Sequence, residues 1–145
     1  MNLNIIDTAF TVELYGFSGT AVNKNWMETG FALMNKMWAE VRAANLPNKG
    51  INVWVYEEMD RMFAGVELAA TPSNDTGLER KLVSVARYVY YKHVGPYHQL
   101  KNVSSKVLAE VKERGLMVGL PYLEIYGHWT EDETKLETEL LWSLK

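Results

Sequence analysis

The hydrophobic pattern of the first half predicts one strand, one helix and a hairpin. Residues 10–15 alternate between apolar and polar or amphipathic side chains, which is typical of a half-buried strand. Between residues 25 and 45, large apolar side chains recur at helical spacing, so a helix is expected there. The runs 51–56 and 62–68 are rich in β-branched and aromatic residues and predict two strands joined by a short acidic turn.

The second half shows the same order of patterns. A long β-rich run covers residues 82–92, and a helix is expected after Pro96 and before Gly115. Two further strands are predicted at 122–128 and 136–144. The order strand, helix, strand, strand therefore occurs twice, with one polar stretch between the two occurrences.

A nearly constant offset between the halves supports an internal duplication. The corresponding pairs are Gly19 and Gly95 at an offset of 76 residues, Gly50 and Gly119 at 69, Tyr56 and Tyr126 at 70, and Glu67 and Glu139 at 72. Helices and loops gain or lose a few residues in a repeat, but the offset stays close to constant. The two halves are therefore expected to be structurally equivalent.

From these patterns we predict one α+β domain over residues 1–145. It consists of two pseudo-symmetric β-α-β-β repeats, at about 8–70 and 78–145. The repeats are expected to form an antiparallel sheet with the helices on one face and a ligand cleft on the other face.

The alternation of side chains along the strands predicts what lines this cleft. Tyr122, Glu124 and Tyr126 point to one face, while the intervening aliphatic residues point to the core. At an offset of 70 residues, Trp54 and Tyr56 correspond to Glu124 and Tyr126. The sequence therefore predicts a cleft with aromatic walls and one carboxylate.

Four further side chains are expected to extend this wall. Tyr15 and Phe17 lie in the first predicted strand, and Tyr91 lies in the corresponding strand of the second half. In the last strand, we assign Trp142 to the apolar core face by alternation, which leaves Glu139 on the cleft side.

The amino-acid composition excludes several classes of function. The chain has 17 aromatic residues (5 Trp, 8 Tyr and 4 Phe), no cysteine and a net charge of −3. The charge argues against a nucleic-acid-binding surface, and the absence of cysteine excludes disulfides and thiol chemistry. No signal peptide, membrane span, metal-ligand spacing or cofactor motif is present, so we expect a cytoplasmic protein without metal or cofactor and without membrane contact.

The chemistry of the predicted cleft favours a cationic ligand. A carboxylate among aromatic rings, with no lysine or arginine at adjacent positions, lacks a partner of opposite charge. A flat organic cation supplies that charge and gains roughly 0.5 to 2 kcal/mol from each ring face that it contacts. Lipophilic aromatic cations, such as many drugs and dyes, satisfy both requirements.

Three motifs stand in order along the second half: Tyr-Lys-His-Val-Gly-Pro-Tyr at residues 91–97, Gly-Leu-Pro-Tyr-Leu-Glu-Ile-Tyr at 119–126 and Glu-Thr-Glu-Leu at 137–140. Together they resemble the gyrase-inhibitor-like effector-binding family, which includes the ligand domains of AraC-type and multidrug-sensing MerR-type regulators. The resemblance implies two β-α-β-β units around a central cleft and bulky aromatic cations held by a buried glutamate and stacked rings. The glutamate of the family's Glu-x-Tyr strand falls on Glu124.

The chain begins within the first strand, so we expect a stand-alone ligand-binding protein without a DNA-binding domain. Two alternatives stay open. In the first, the protein is a hydrolase of electrophilic small molecules with Glu124 as general acid or base, as some family members resembling this sequence are. In the second, it modulates gyrase or another protein partner. A homodimer is also compatible with the sequence, and binding is favoured over catalysis.

Overall fold

The computed structural model describes residues 1–145 and confirms the predicted α+β class. Eight antiparallel strands form a single sheet, and two α-helices pack on it. The strands are β1 (Asn4–Ile6), β2 (Phe10–Thr20), β3 (Asn48–Tyr56), β4 (Arg61–Leu68), β5 (Glu79–Val85), β6 (Tyr88–Val94), β7 (Val118–Tyr126) and β8 (Glu137–Leu144). The helices are α1 (Trp26–Ala43) and α2 (Leu100–Glu113), and short 3₁₀ turns occur at Val22–Lys24, Tyr97–Gln99 and Glu133–Lys135.

Both helices lie where the apolar spacing predicts them. In α1 the buried positions include Met37 and Val41, and in α2 they include Val107 and Val111. Each pair is four residues apart and therefore lies on one face of its helix. Gly115 follows α2 with φ of 74°, a left-handed conformation that suits glycine at a helix C-terminus.

Two strand predictions need correction. The run 82–92 is not one strand, because β5 ends at Val85 and β6 begins at Tyr88. β5 pairs with β2 whereas β6 pairs with β8, so the chain must leave one part of the sheet and join another at this point. The strand β1 was missed, since three residues are too few to show an alternating pattern.

The strand order places the two halves side by side. Along the sheet it is β1-β6-β8-β7-β3-β4-β2-β5, so β7 and β3 form the central pair. The elements β2-α1-β3-β4 occupy one half and β6-α2-β7-β8 the other. The internal repeat itself stays a prediction.

The sheet curves strongly, which closes one of its faces. β5 and β6 lie far apart in the strand order, yet only Ala86 and Arg87 connect them. Three peptide steps span at most about 11 Å, so the ends of the sheet must approach each other. The rings of Phe10 and Tyr88 are in contact across this junction, with centroids 6.1 Å apart.

We call the closed side the inner face. It holds the largest group of contacting buried side chains in the protein: Val12, Leu14, Val53, Val55, Phe63, Val83, Val85, Tyr88, Leu123 and Leu141. The side covered by the helices is the outer face. There α1 packs on Phe17 and Val66, and α2 packs on Val89. Neither α-helix is both long and apolar enough to cross a lipid bilayer.

Candidate functional site

Five of the predicted aromatic and acidic side chains meet at the centre of the sheet. In the central pair, Trp54 on β3 lies opposite Glu124 on β7, and Tyr56 lies opposite Tyr122. Tyr126 follows two residues after Glu124 and therefore points to the same face. Five of the nine predicted site residues are thus neighbours.

The position of this cluster relative to the helices differs from the prediction. Trp54 lies against Gly30 and Phe31 of α1, and its ring centroid is 5.4 Å from that of Phe31. The cluster is therefore on the outer face, beside the helices, and not on a helix-free face. Alternation along a strand separates the two faces but does not tell which one the helices cover, and curvature fills the inner face with aliphatic side chains.

Glu124 is the acceptor at the centre of the cluster. Its side chain is buried, and the residue is only 8% exposed. The hydroxyl groups of Tyr56 and Tyr126 donate to Oε1, each at 2.6 Å, and the hydroxyl of Tyr122 donates to Oε2 at 2.8 Å. No lysine, arginine or histidine forms an ion pair with this carboxylate. Its hydrogen bonds are satisfied, but its charge has no partner.

The three tyrosines are held in the neutral form. Burial raises the pKa of Tyr56, Tyr122 and Tyr126 far above the ordinary value of 10.0, and the charge of Glu124 raises each pKa further. A neutral phenol keeps its proton and can therefore donate a hydrogen bond to the carboxylate. The arrangement is therefore a negative charge surrounded by three hydrogen-bond donors.

Aromatic contacts extend from this centre in a continuous network. Tyr56 stacks on Tyr122 with centroids 5.3 Å apart, and Tyr122 stacks on Trp142 at 3.6 Å. Trp54 meets Tyr126 edge to face at 5.5 Å. The Tyr56–Tyr122 and Trp54–Tyr126 pairs have the separations that aromatic pairs favour, and together the rings line the surroundings of Glu124.

Four rings of the network were not predicted as site residues. Trp26 of α1 packs edge-on against Tyr56 at 5.4 Å, and Tyr97 packs against Tyr126 at 5.6 Å. Phe31 has an exposed fraction of 48% and covers Trp54 from the solvent side. Trp142 was assigned to the other face of β8, and this assignment is wrong because Trp142 lies directly opposite Tyr122 in the register.

Glu139 is the second correction on β8. It lies opposite Ile125, the residue after Glu124, and therefore on the inner face. There it accepts a hydrogen bond of 2.6 Å from Tyr90. The sequence prediction assigned the even-numbered residues from 136 to 144 to the face opposite Glu124. This assignment is wrong, because one of them, Leu140, pairs directly with Glu124 and shares its face.

The remaining predicted wall residues share the outer face but lie farther away. Tyr91 pairs with Leu140 and belongs to the group of packed residues that includes Tyr122. Phe17 lies three strands from Glu124, beneath α1, with the Lys36 ammonium 4.1 Å from its ring centroid. The hydroxyl of Tyr15 donates to Glu13. Tyr91 thus borders the cluster, and neither Phe17 nor Tyr15 does.

Two open cavities lie outside the group of rings around Glu124. One cavity of about 520 Å³ lies beside Arg61, Phe63 and Pro121, and another of about 480 Å³ lies beside Asn4 and Tyr90. Neither is lined by Glu124. Phe31 and Tyr97, at the edge of the aromatic network, are 48% and 39% exposed, so this part of the network is open to solvent.

A family model described as the GyrI-like small molecule binding domain matches residues 30–145. No curated protein sequence matches the chain. Among solved structures, the C-terminal domain of EcmrR is similar with a TM-score of 0.65 at 15% identity, over 99% of this chain and 96% of that one. SAV2435 bound to tetraphenylphosphonium is similar with a TM-score of 0.65 at 16% identity, over 100% and 94%.

A hydrolase from Listeria innocua also shares the fold, with a TM-score of 0.57 at 13% identity over 99% of this chain and 91% of that one. The chain spans only 56% of EcmrR as seen in its DNA complex, at a TM-score of 0.66 and 17% identity. These structural likenesses concern the fold.

Proposed function

The chain belongs to the family of GyrI-like small molecule binding domains, and on this basis we propose that it binds lipophilic aromatic cations between α1 and α2. One observation carries the proposal. Glu124 is buried and accepts three tyrosine hydrogen bonds, yet no cationic side chain neutralises it.

The unpaired charge of Glu124 determines the sign of the charge that the ligand carries. A buried carboxylate without a counter-charge loses much of its hydration, and hydroxyl donors replace only part of it. A cation placed beside Glu124 restores the balance. An anion would meet the carboxylate at close range in a site of low dielectric constant, and repulsion would exclude it.

The rings define the size and polarity of the ligand. The rings of Trp54, Tyr56, Tyr122 and Tyr126 surround the charge, and each ring face that a bound cation contacts contributes roughly 0.5 to 2 kcal/mol. A small, strongly hydrated ion cannot cover these rings. A delocalised cation with several aromatic groups can, and SAV2435, which shares the fold, holds tetraphenylphosphonium.

The test is a titration with two ions of matched shape and opposite charge, tetraphenylphosphonium and tetraphenylborate. Binding is followed by isothermal calorimetry and by quenching of tryptophan fluorescence. We expect saturable binding of the cation only. Glu124→Gln keeps the size of the side chain but removes its charge, and it should weaken cation binding at least tenfold.

Glu139→Gln is the matched control. Glu139 also accepts a 2.6 Å hydrogen bond from a tyrosine, but on the inner face. Its substitution should leave cation affinity unchanged. Equal binding of the two ions by the native protein, or full cation affinity in folded Glu124→Gln, would show that the proposed role of Glu124 is wrong.

A second candidate function is hydrolysis of electrophilic small molecules. The observation in its favour is that Glu124, a potential base, lies within hydrogen-bond distance of three phenols, which are potential acids. Incubation with a reactive epoxide or cyclopropane, with mass detection of water addition, separates the two functions. Turnover that is lost in Glu124→Gln would favour catalysis, and none above that variant would favour binding alone.

A further inference from the structure

Unpartnered polar atoms are concentrated beside Glu124. Only four buried side-chain polar atoms in the protein lack a hydrogen-bond partner. One is Oε2 of Glu110 on α2, which is in an ion pair with Arg114. The other three are Nε1 of Trp54, Nε1 of Trp142 and Oγ1 of Thr138. Burying such a group without a partner destabilises the folded state, so their clustering calls for an explanation.

All three atoms belong to side chains on the outer face at the centre of the sheet. Trp54 lies directly opposite Glu124, Trp142 opposite Tyr122, and Thr138 opposite Tyr126. Each is therefore a cross-strand neighbour of the carboxylate or of one of its donors, about 5 Å away between Cβ atoms. Two of the three are indole N–H groups, which can donate but never accept.

The orientation of Trp54 directs its N–H away from α1. A Cβ added at Gly30 would meet Cε3, Cζ3 and Cη2, which form the edge of the six-membered ring. Nε1 is on the opposite edge of the indole, so it is turned away from Gly30. Trp54 has an exposed fraction of only 5%, which leaves its N–H out of reach of bulk solvent.

We infer that the ligand carries a hydrogen-bond acceptor as well as a positive charge, and that Trp54 Nε1 donates to this acceptor. The inference rests on the proposed function, because it concerns a second contact of the same ligand. The site then selects aromatic cations that bear a carbonyl, ester or ether oxygen over cations of the same size made only of hydrocarbon groups. Trp142 and Thr138 offer further donors to larger ligands of this class.

The experiment compares two phosphonium cations of similar shape, one with a para-acetyl group and one with a para-isopropyl group on a single phenyl ring of tetraphenylphosphonium. Affinities are measured by calorimetry. A hydrogen bond to a buried partner changes affinity by roughly threefold to tenfold, so the acetyl cation should bind tighter by that factor. Trp54→Phe retains an aromatic ring but lacks the N–H, and it should bring the ratio of the two affinities to about one.

Trp129→Phe is the matched control, since Trp129 is 72% exposed and outside the aromatic network. It should keep the native ratio. Equal affinity of the native protein for both cations, or an unchanged ratio in Trp54→Phe, overturns the inference while cation binding itself persists. If the native protein binds neither cation, the proposed function is overturned as well.

A measurement on the native protein covers the case in which Trp54→Phe does not fold. The chain has five tryptophans, so its ¹⁵N-labelled indole groups give five signals in a proton–nitrogen correlation spectrum. A hydrogen bond deshields the indole proton. The acetyl cation should therefore shift one buried indole proton downfield relative to the isopropyl cation, and identical spectra with the two cations would overturn the inference.

Discussion

The two faces of the central strands hold side chains of opposite character, although these alternate residue by residue along the same chain. On the inner face, β3 and β7 contribute Val53, Val55 and Leu123, which are 0 to 3% exposed and form no polar contacts through their side chains. On the outer face, the same strands contribute Trp54 and Glu124, a buried charge beside an unpartnered indole N–H.

This difference separates the part that stabilises the fold from the part that is suited to binding. The inner face follows the rule that buried side chains are apolar and closely packed. The outer face departs from it twice, with a charge that lacks a counter-charge and with donors that lack acceptors. Such departures lower stability, and a ligand that supplies the missing partners would recover it.

The largest expected effect comes from weakening the inner face. Leu123→Ala removes a side chain that is 0% exposed and leaves a cavity, which should lower the free energy of unfolding by about 2 to 5 kcal/mol. Urea denaturation measures this change. Affinity for tetraphenylphosphonium should fall less than in Glu124→Gln, because the side chain of Leu123 points to the opposite face from Glu124, and an equal or larger loss in the folded variant would show that the two faces are not independent.

A smaller effect is expected where α1 meets the outer face. Gly30→Ala should improve helix propensity by about 1 kcal/mol, but the added Cβ overlaps the ring of Trp54. We expect a net loss of roughly 1 to 3 kcal/mol in the free energy of unfolding, because the indole must move. In the Trp54→Phe background the same substitution should be neutral or stabilising. Stabilisation by Gly30→Ala alone would contradict this account.

The third prediction concerns alkaline pH. The pKa values of Tyr56, Tyr122 and Tyr126 are raised in the folded state, so these phenols keep protons that the unfolded chain releases near pH 10. The unfolded state then binds fewer protons, and stability falls as pH rises above about 10. Each tyrosine contributes a slope that is about 0.7 kcal/mol per pH unit at pH 10 and approaches about 1.4 kcal/mol per unit at higher pH.

Tyr126→Phe should remove one such contribution. Urea denaturation at pH 9, 10 and 11 measures the decline, and between pH 9 and pH 11 the native protein should lose about 1.4 kcal/mol more stability than the variant. Below pH 9 the two should differ by a constant amount. An identical slope would mean that the phenol of Tyr126 ionises as easily in the folded protein as in the unfolded chain.

Most of the fold could be predicted from local pattern. The helices α1 and α2 follow from apolar spacing, and the β3–β4 hairpin follows from two β-rich runs around a short turn. The break between β5 and β6 could not be found in this way. Residues 82–92 look continuous locally, and only pairing with different strands divides them.

The part of the candidate site that lies on a single strand could be predicted from the sequence. Tyr122, Glu124 and Tyr126 alternate on β7, so their common face follows from the sequence alone. The register of β8 does not follow, because a row of apolar residues can face either a core or an aromatic cluster. For this reason the sequence prediction placed Glu139 beside Glu124 and Trp142 on the opposite face, whereas the structure shows the reverse. Trp26 and Tyr97 reach the site from other elements, which no local pattern reveals.

The pairing of Trp54 with Glu124 also limits the negative charge at the centre of the sheet. These positions face each other across the central strands, so acidic residues at both would place two carboxylates about 5 Å apart. Two carboxylates that close do not both ionise readily in a buried site. Because position 54 is a tryptophan, the middle of the sheet holds a single carboxylate, and under the proposed function a ligand needs to supply only one positive charge there.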